Sequence, residues 1–185
     1  MARVIAERSD VLPLLTEIFR TYGYEGASLA RIGASTGLGK GSLYHFFPVG
    51  KDEMAAAVLA HIDLWFQQNV YAPLRETSDP RRGIVHMFRE TRRYFLSGQK
   101  VCLIGVFALG NERDRFALAV KSYFVDWAVA LAGALERDGR DAAAAMALSE
   151  DVVGGIQGAL VLARAMDKPR LFVSALARME KRLLE

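Results

Sequence analysis

The chain has 185 residues, 52% of them hydrophobic and 24% charged, with a formal net charge of +3. That length and apolar content support a sizeable core and exclude a disordered chain. The mild charge excludes a protein that holds any polyanion by electrostatics alone, and no apolar run after Met1-Ala-Arg-Val reads as a secretory signal.

Val11, Leu14, Leu15, Ile18, Phe19 and Tyr22 recur at helical spacing and predict an amphipathic first helix. Asp10 is its expected N-cap, Pro13 falls in its first turn and Gly23 stops it. Two short helices are expected next, about Ser28 to Ser35 and about Gly39 to Phe46, punctuated by Gly37. Leu29, Ile32 and Leu43 are placed as apolar anchors, while Ser28, Thr36, Lys40, Ser42, Tyr44 and His45 are left to face outward. One helix bracing the backbone while the next offers a compact polar face is the economy of a helix-turn-helix. Residues 1 to 51 carry six basic residues against four acids, so DNA binding here needs a few well-placed contacts, doubled by dimerisation.

Pro48 and Gly50 break the chain, and Asp52 and Glu53 favour a new helix N-terminus, with that helix continuing to about Tyr71. Asp79-Pro80 reads as N-cap and first residue of a fifth helix, closed by Ser97-Gly98. A short helix from about Cys102 to Ala108, a long apolar one from about Glu112 to Arg137, and another from Asp141 to Met166 follow. Lys121 and Asp126 interrupt the most apolar run, which makes it a buried core helix and not a membrane span. Pro169 opens a last helix with Phe172, Leu176, Met179 and Leu183 in a 4-3-4 spacing. The expected fold is all-α, with about nine helices. It divides into a three-helix reader over 1–51 and a helical bundle over 52–185 for ligand binding and dimerisation.

With Tyr22-Gly23-Tyr24, Ser28 and Lys40-Gly41-Ser42-Leu43-Tyr44-His45-Phe46-Phe47-Pro48 in place, the chain resembles a TetR-family transcriptional regulator over its whole length. Pro48-Val49-Gly50-Lys51, Cys102-Leu103-Ile104-Gly105 and Leu162-Ala163-Arg164-Ala165 are similar to the LmrA/YxaF-like branch. Three departures stand out. Pro13 sits where small helix formers are usual, Gly33 replaces a typical Ala, and Gly39 replaces a usual Ser.

The resemblance and the chemistry together assign DNA contacts. Ser28 and Thr36 offer hydroxyls to phosphates, and Gly41 permits close approach. Lys40, Tyr44 and Lys51 reach phosphates, and Ser42 and His45 reach base edges or backbone. The resemblance implies a double-stranded operator as partner, a repressor function, and a largely apolar small-molecule inducer held inside the body. Candidate lining residues are His61, Trp65, Phe88, Arg92, Phe95, Cys102, Phe107, Tyr123, Trp127 and Gln157, although each aromatic also reads as ordinary core packing. Cys102 reads either as a small buried hydrophobe or as a thiol sensor; its solitude leaves no intramolecular disulfide and fits the cytoplasm. Arg81-Arg82 and Arg92-Arg93 read as solvated faces. The stripe Phe172, Leu176, Met179 and Leu183 is the expected homodimer seam. No metal-ligand spacing, cofactor motif or catalytic set is evident, so neither an enzyme nor a membrane protein is expected.

Overall fold

The computed structural model describes residues 7–185, and among these all regular structure is helical. The helices are α1 (Arg8–Gly26), α2 (Leu29–Thr36), α3 (Lys40–Phe46), α4 (Lys51–Phe66), α5 (Ala72–Glu76), α6 (Pro80–Tyr94), α7 (Leu103–Leu109), α8 (Ala117–Arg137), α9 (Ala142–Ala165) and α10 (Arg170–Leu184). The chain forms two compact units. The first takes residues up to Asp63 and then Leu103–Val120; the second takes Leu64–Cys102 and Lys121–Glu185. The first unit thus holds the described part of the expected reader, which was placed at 1–51, together with most of α4 and with α7, a segment remote in sequence.

In the first unit, α1 begins at Arg8, two residues before the Asp10 expected to cap it. Glu7 is the cap, and Asp10 Oδ2 accepts from the Glu7 N–H at 3.1 Å, closing a capping box. Pro13 thus lies beyond the first turn. It removes the donor for the Ser9 carbonyl, which is tolerable because Ser9 is exposed to water. Gly23, at φ +66, kinks the helix, and the chain turns through Tyr24 to Gly26. Val11, Leu15 and Phe19 form the buried face of α1, and Phe19 meets Phe107 of α7 edge-on at 6.2 Å.

In the second unit, α6 opens as expected: Asp79 accepts from the Arg82 N–H at 3.2 Å and Pro80 takes the first position. Asp141 likewise caps α9, accepting from Ala143 and Ala144. The helix expected to run unbroken to Tyr71 is interrupted by a π turn over Gln67–Tyr71, where the Ala72 N–H bonds to Gln67 O, and α5 continues beyond it. Two nearby carbonyls take side-chain donors. Asn69 Nδ2 donates to Trp65 O at 2.8 Å, and His86 Nε2 lies 3.0 Å from Asn69 O. Arg89 Nη2, 2.7 Å from His86 Nδ1, can only donate, so the His86 proton sits on Nε2 and is given to Asn69.

Helices α8 and α9 are long and apolar enough to cross a membrane by length and composition. Here each buries one face, Tyr123, Trp127, Leu131 and Leu135 on α8 and Val152, Ile156, Ala159 and Ala163 on α9.

Candidate nucleic-acid interface

Helix α2 is capped by Ser28, whose Oγ accepts from the Arg31 N–H at 3.3 Å, and Gly37 ends it in a left-handed conformation at φ +73. Ser28 is exposed, so its hydroxyl proton is free to reach a phosphate. Thr36 is not available for that role. It is buried, donating from Oγ1 to Ile32 O at 2.7 Å and accepting from the Leu38 N–H at 3.3 Å, so it fastens the turn. A methyl at Gly33 would stand 3.1 Å from Leu38 O, so an alanine there would press on the backbone of the turn that follows α2.

Helix α3 buries Leu43 and leaves Lys40, Gly41, Ser42, Tyr44 and His45 exposed. Gly41 has open space where a side chain would be, so the backbone itself forms part of the reading face. Lys40 Nζ lies 5.9 Å from the Tyr44 ring, and that ring packs beside Gly50, where the chain leaves α3. A cleft of about 340 Å³ separates α2 from α3, with Leu29, Ala30 and Gly33 on one side and Lys40 and Tyr44 on the other. A hollow of about 320 Å³ on the neighbouring face is lined by Gly41, Ser42 and His45 with Leu38 and Phe46. The one-residue-longer turn before α4 is held by Glu53, which accepts from the Val49 N–H and pairs with Arg8, both at 3.0 Å.

Lys51 faces inward. Its Nζ donates to Tyr24 O at 3.1 Å, lies 4.1 Å from the Tyr24 ring and is 3.8 Å from Glu25. Those contacts make it a brace of the reader and correct its expected reach to phosphate. Beside it, the Tyr24 hydroxyl donates to Asp52, and Arg115 Nη1 donates to both Tyr24 Oη at 2.7 Å and Asp52 Oδ1 at 3.0 Å. The Tyr24 hydrogen bond, together with Arg115 and Lys51, holds the Asp52 carboxyl below the usual carboxylate range against the opposing effect of desolvation. Burial first, and then the hydrogen bond to Asp52 and its charge, push the Tyr24 phenol up to about 12 against the opposing effect of Arg115.

Residues 15–58 match the family described as bacterial regulatory proteins, tetR family. Residues 80–177, more than half of the chain, match the LmrA/YxaF-like transcriptional regulator C-terminal domain. This chain belongs to the TetR family. Two relatives from Bacillus subtilis (strain 168) are each 26% identical over 159 residues, 84% of this chain: the uncharacterized HTH-type transcriptional regulator YxaF, covered over 83% of its length, and the HTH-type transcriptional regulator LmrA, covered over 85%. Among solved structures, a TetR transcriptional regulator from Legionella pneumophila superposes with a TM-score of 0.80 at 20% identity, covering 98% of this chain and 99% of its own. The regulator CifR, solved as a cysteine mutant with 26 bp double-strand operator DNA, gives a TM-score of 0.74 at 23% identity, covering 97% and 98%. These likenesses carry the fold; with the family matches, they make the protein a transcriptional regulator with an N-terminal DNA-binding domain, and they point away from an enzyme.

In the second unit of this TetR-family regulator, Phe66 is the hub of an aromatic cluster, with ring centroids 4.8 Å from Tyr94, 4.9 Å from Tyr123 and 5.1 Å from both Trp65 and Trp127. Trp65, Phe95, Tyr123 and Trp127, named as candidate lining residues, all pack their rings against Phe66, which itself carried no signal beyond hydrophobicity. Trp127 Nε1 donates to Met87 Sδ at 3.3 Å, and burial drives the Tyr123 phenol well above its ordinary range, with the Cys102 thiol beside it. Phe88 is buried in the same unit. Thr91 Oγ1 and Gln157 Nε2 are buried without a hydrogen-bond partner. Three expected lining residues are elsewhere. His61 is on the solvent face of α4, and Arg92 is exposed with Nε donating to Ser97. Phe107 belongs to the first unit, edge-on to Tyr24 at 6.1 Å and to Phe116 at 5.4 Å, because α7 packs on α1.

The expected dimer stripe also faces inward. Phe172, Leu176 and Leu183 are buried within one protomer, with Phe172 edge-on to Phe95 at 5.9 Å, and Met179 lies against Gly155. Apolar surface is instead exposed on α9 at Gly154, Gly158, Val161 and Leu162, and on α10 at Leu171.

Proposed function

We propose that this protein is a homodimeric repressor that binds a pseudo-palindromic operator and is released from it by a largely apolar small molecule. The observation that carries the reading is the display on α3, where one buried anchor, Leu43, leaves Lys40, Gly41, Ser42, Tyr44 and His45 facing out. One such short helix reads few base pairs, so affinity requires two, spaced about one helical turn or roughly 34–36 Å apart. Lys40 and Tyr44 supply phosphate contacts that set register, Ser28 a hydroxyl at the α2 N-terminus, and Ser42 and His45 the base-edge contacts. The second copy is argued from α9, where exposed Gly154, Gly158, Val161 and Leu162 give a shallow apolar face onto which another helix can close tightly.

Induction is supported by the orphaned polar atoms. Thr91 Oγ1 and Gln157 Nε2 are desolvated without a partner, a cost of about 1–3 kcal/mol each that a bound polar group would recover. A ligand shifts DNA binding only by preferring the conformation that cannot hold the operator. Mobility-shift titration with DNA flanking the protein's own gene, repeated with a panel of apolar compounds that raise its melting temperature, tests both halves. Failure to shift any such DNA would remove the repressor reading, and compounds that stabilise the protein without releasing DNA would remove the induction.

A further inference from the structure

Tyr24 and Asp52 bracket the helix-turn-helix. Tyr24 stands just past the Gly23 kink and four residues before the Ser28 cap of α2, and Asp52 is the second residue of α4, directly after the turn that ends α3. Their hydrogen bond closes a stretch that contains both reading helices and spans 28 residues in sequence. On its own such a contact is weak, since the Asp52 side chain is 50% exposed and water competes for it.

Arg115 changes that. Its Nη1 donates at once to Tyr24 Oη and Asp52 Oδ1, and its guanidinium carbon is 5.2 Å from the Tyr24 ring centroid. The donor and acceptor roles close without conflict. The phenol gives its proton to the carboxylate and accepts from the guanidinium, while the carboxylate accepts from both. The tyrosine ring is fixed from behind by Phe19, stacked at 6.2 Å, and by Phe116, edge-on at 5.7 Å, so the hydroxyl has one place to be. Arg115 comes from outside the reader sequence, on the turn before α8, 63 residues from Asp52.

We propose that Arg115 is a positioning residue for DNA binding: it locks the Tyr24–Asp52 clasp, and the clasp holds α2 and α3 in the orientation that fits the major groove. It touches no DNA in this role. The inference rests on operator binding by this chain.

The test uses the full-length protein and a duplex that the wild type shifts, with active fraction titrated at protein concentrations above the Kd, so that misfolded protein is not counted as weak binding. Arg115→Ala is expected to weaken the duplex about tenfold while leaving the slope of log K against log salt unchanged, because no phosphate contact is lost. Tyr24→Phe should weaken it similarly, and the double variant should lose no more than the worse single, because both open one clasp. Arg115→Lys, whose ammonium can still reach the carboxylate, should recover most of the loss. Where Tyr24→Phe fails to fold, Asp52→Asn takes its place in the cycle. Unchanged affinity in Arg115→Ala, additive losses, or a slope flattened by about one would each overturn the proposal, the last by making Arg115 a phosphate ligand. A wild type that shifts no duplex defeats the operator reading; a wild type that binds beside an Arg115→Ala that binds equally defeats this inference alone.

Discussion

The terminal methyl carbon of Met179 occupies the space that a side chain at Gly155 would need: a Cβ there would come within 2.7 Å of it. The glycine lets α10 lie close along α9, and a residue expected to meet a second protomer fills this notch in its own chain. Gly98 is a different kind of glycine. It sits at φ +96, and a Cβ would meet the Phe172 Cβ at 2.7 Å and Pro169 O at 2.8 Å.

Gly155→Ala and Gly98→Ala should therefore part company. At Gly155 the clash is with the far end of a flexible side chain, and alanine gains about 1 kcal/mol of helix propensity, so the net change should stay within about 1 kcal/mol. At Gly98 both the backbone angle and two rigid neighbours oppose the methyl, and a loss of about 3 kcal/mol or more is expected. Urea denaturation of both variants checks the contrast; equal midpoints would show that the α9–α10 contact is not as described.

On the reading face, Lys40→Ala should weaken operator binding across sequences and lower the salt slope by about one, the signature of a lost phosphate contact. Tyr44→Phe should weaken binding with the slope retained. Fluorescence anisotropy at several salt concentrations separates the two, and unchanged affinity in both variants would remove this face from DNA binding.

For assembly, Val161→Glu with Leu162→Glu should yield folded monomers in sedimentation, because both side chains are exposed within a protomer. Leu176→Glu should instead lower the melting temperature steeply, since it places a charge in the protomer core. A dimer of undiminished stability in the double α9 variant would place the seam elsewhere.

For the ligand site, Gln157→Leu should raise the stability of the free protein by about 1 kcal/mol, since it removes a desolvated donor without a partner. The same change, or Trp65→Ala, should blunt release by a compound that frees wild-type protein from DNA, while leaving DNA binding without the compound intact. Normal release in both variants would move the site away from these residues.

The clasp also sets an alkaline limit. The Tyr24 phenol titrates at about 12 in the folded chain and near 10 when free, so the bonded, protonated form stabilises the fold fully below pH 10. That contribution is lost as pH rises from about 10 towards 12. Tyr24→Phe should show a shallower loss of stability over this window than the wild type, measured by denaturation at fixed pH steps; parallel curves would mean that the hydroxyl does not act through its ionisation.

The sequence made the helices and the reading block legible because their signals are local. Helical spacing in Val11 to Phe19, the Asp79-Pro80 and Asp141 caps, and the glycine between α2 and α3 all act within a few residues. What it could not reveal was which neighbour covers an apolar face. Phe172, Leu176 and Leu183 are as periodic as a dimer seam, and only packing shows that their own protomer covers them. Phe107 looked like a pocket aromatic because its helix follows the body's, but α1 claims it. Arg115 carried no motif at all, since its partners lie 63 and 91 residues away. Thr36 and Lys51 had the right chemistry for phosphate and spend it inside the turn and against Tyr24.

The π turn at Gln67–Tyr71 leaves a mark that alignments will meet before any experiment does. A turn that closes from residue i to i+5 holds one residue more than an α-turn needs, so losing a single residue there would restore an ordinary α-helix while everything after it keeps its face. A one-residue gap in the middle of a helix is usually treated as an alignment error. Between α4 and α5 of this regulator and its relatives, such a gap would be a physical difference, separating chains that keep the Trp65 and Asn69 carbonyls on side-chain donors from chains that never exposed them.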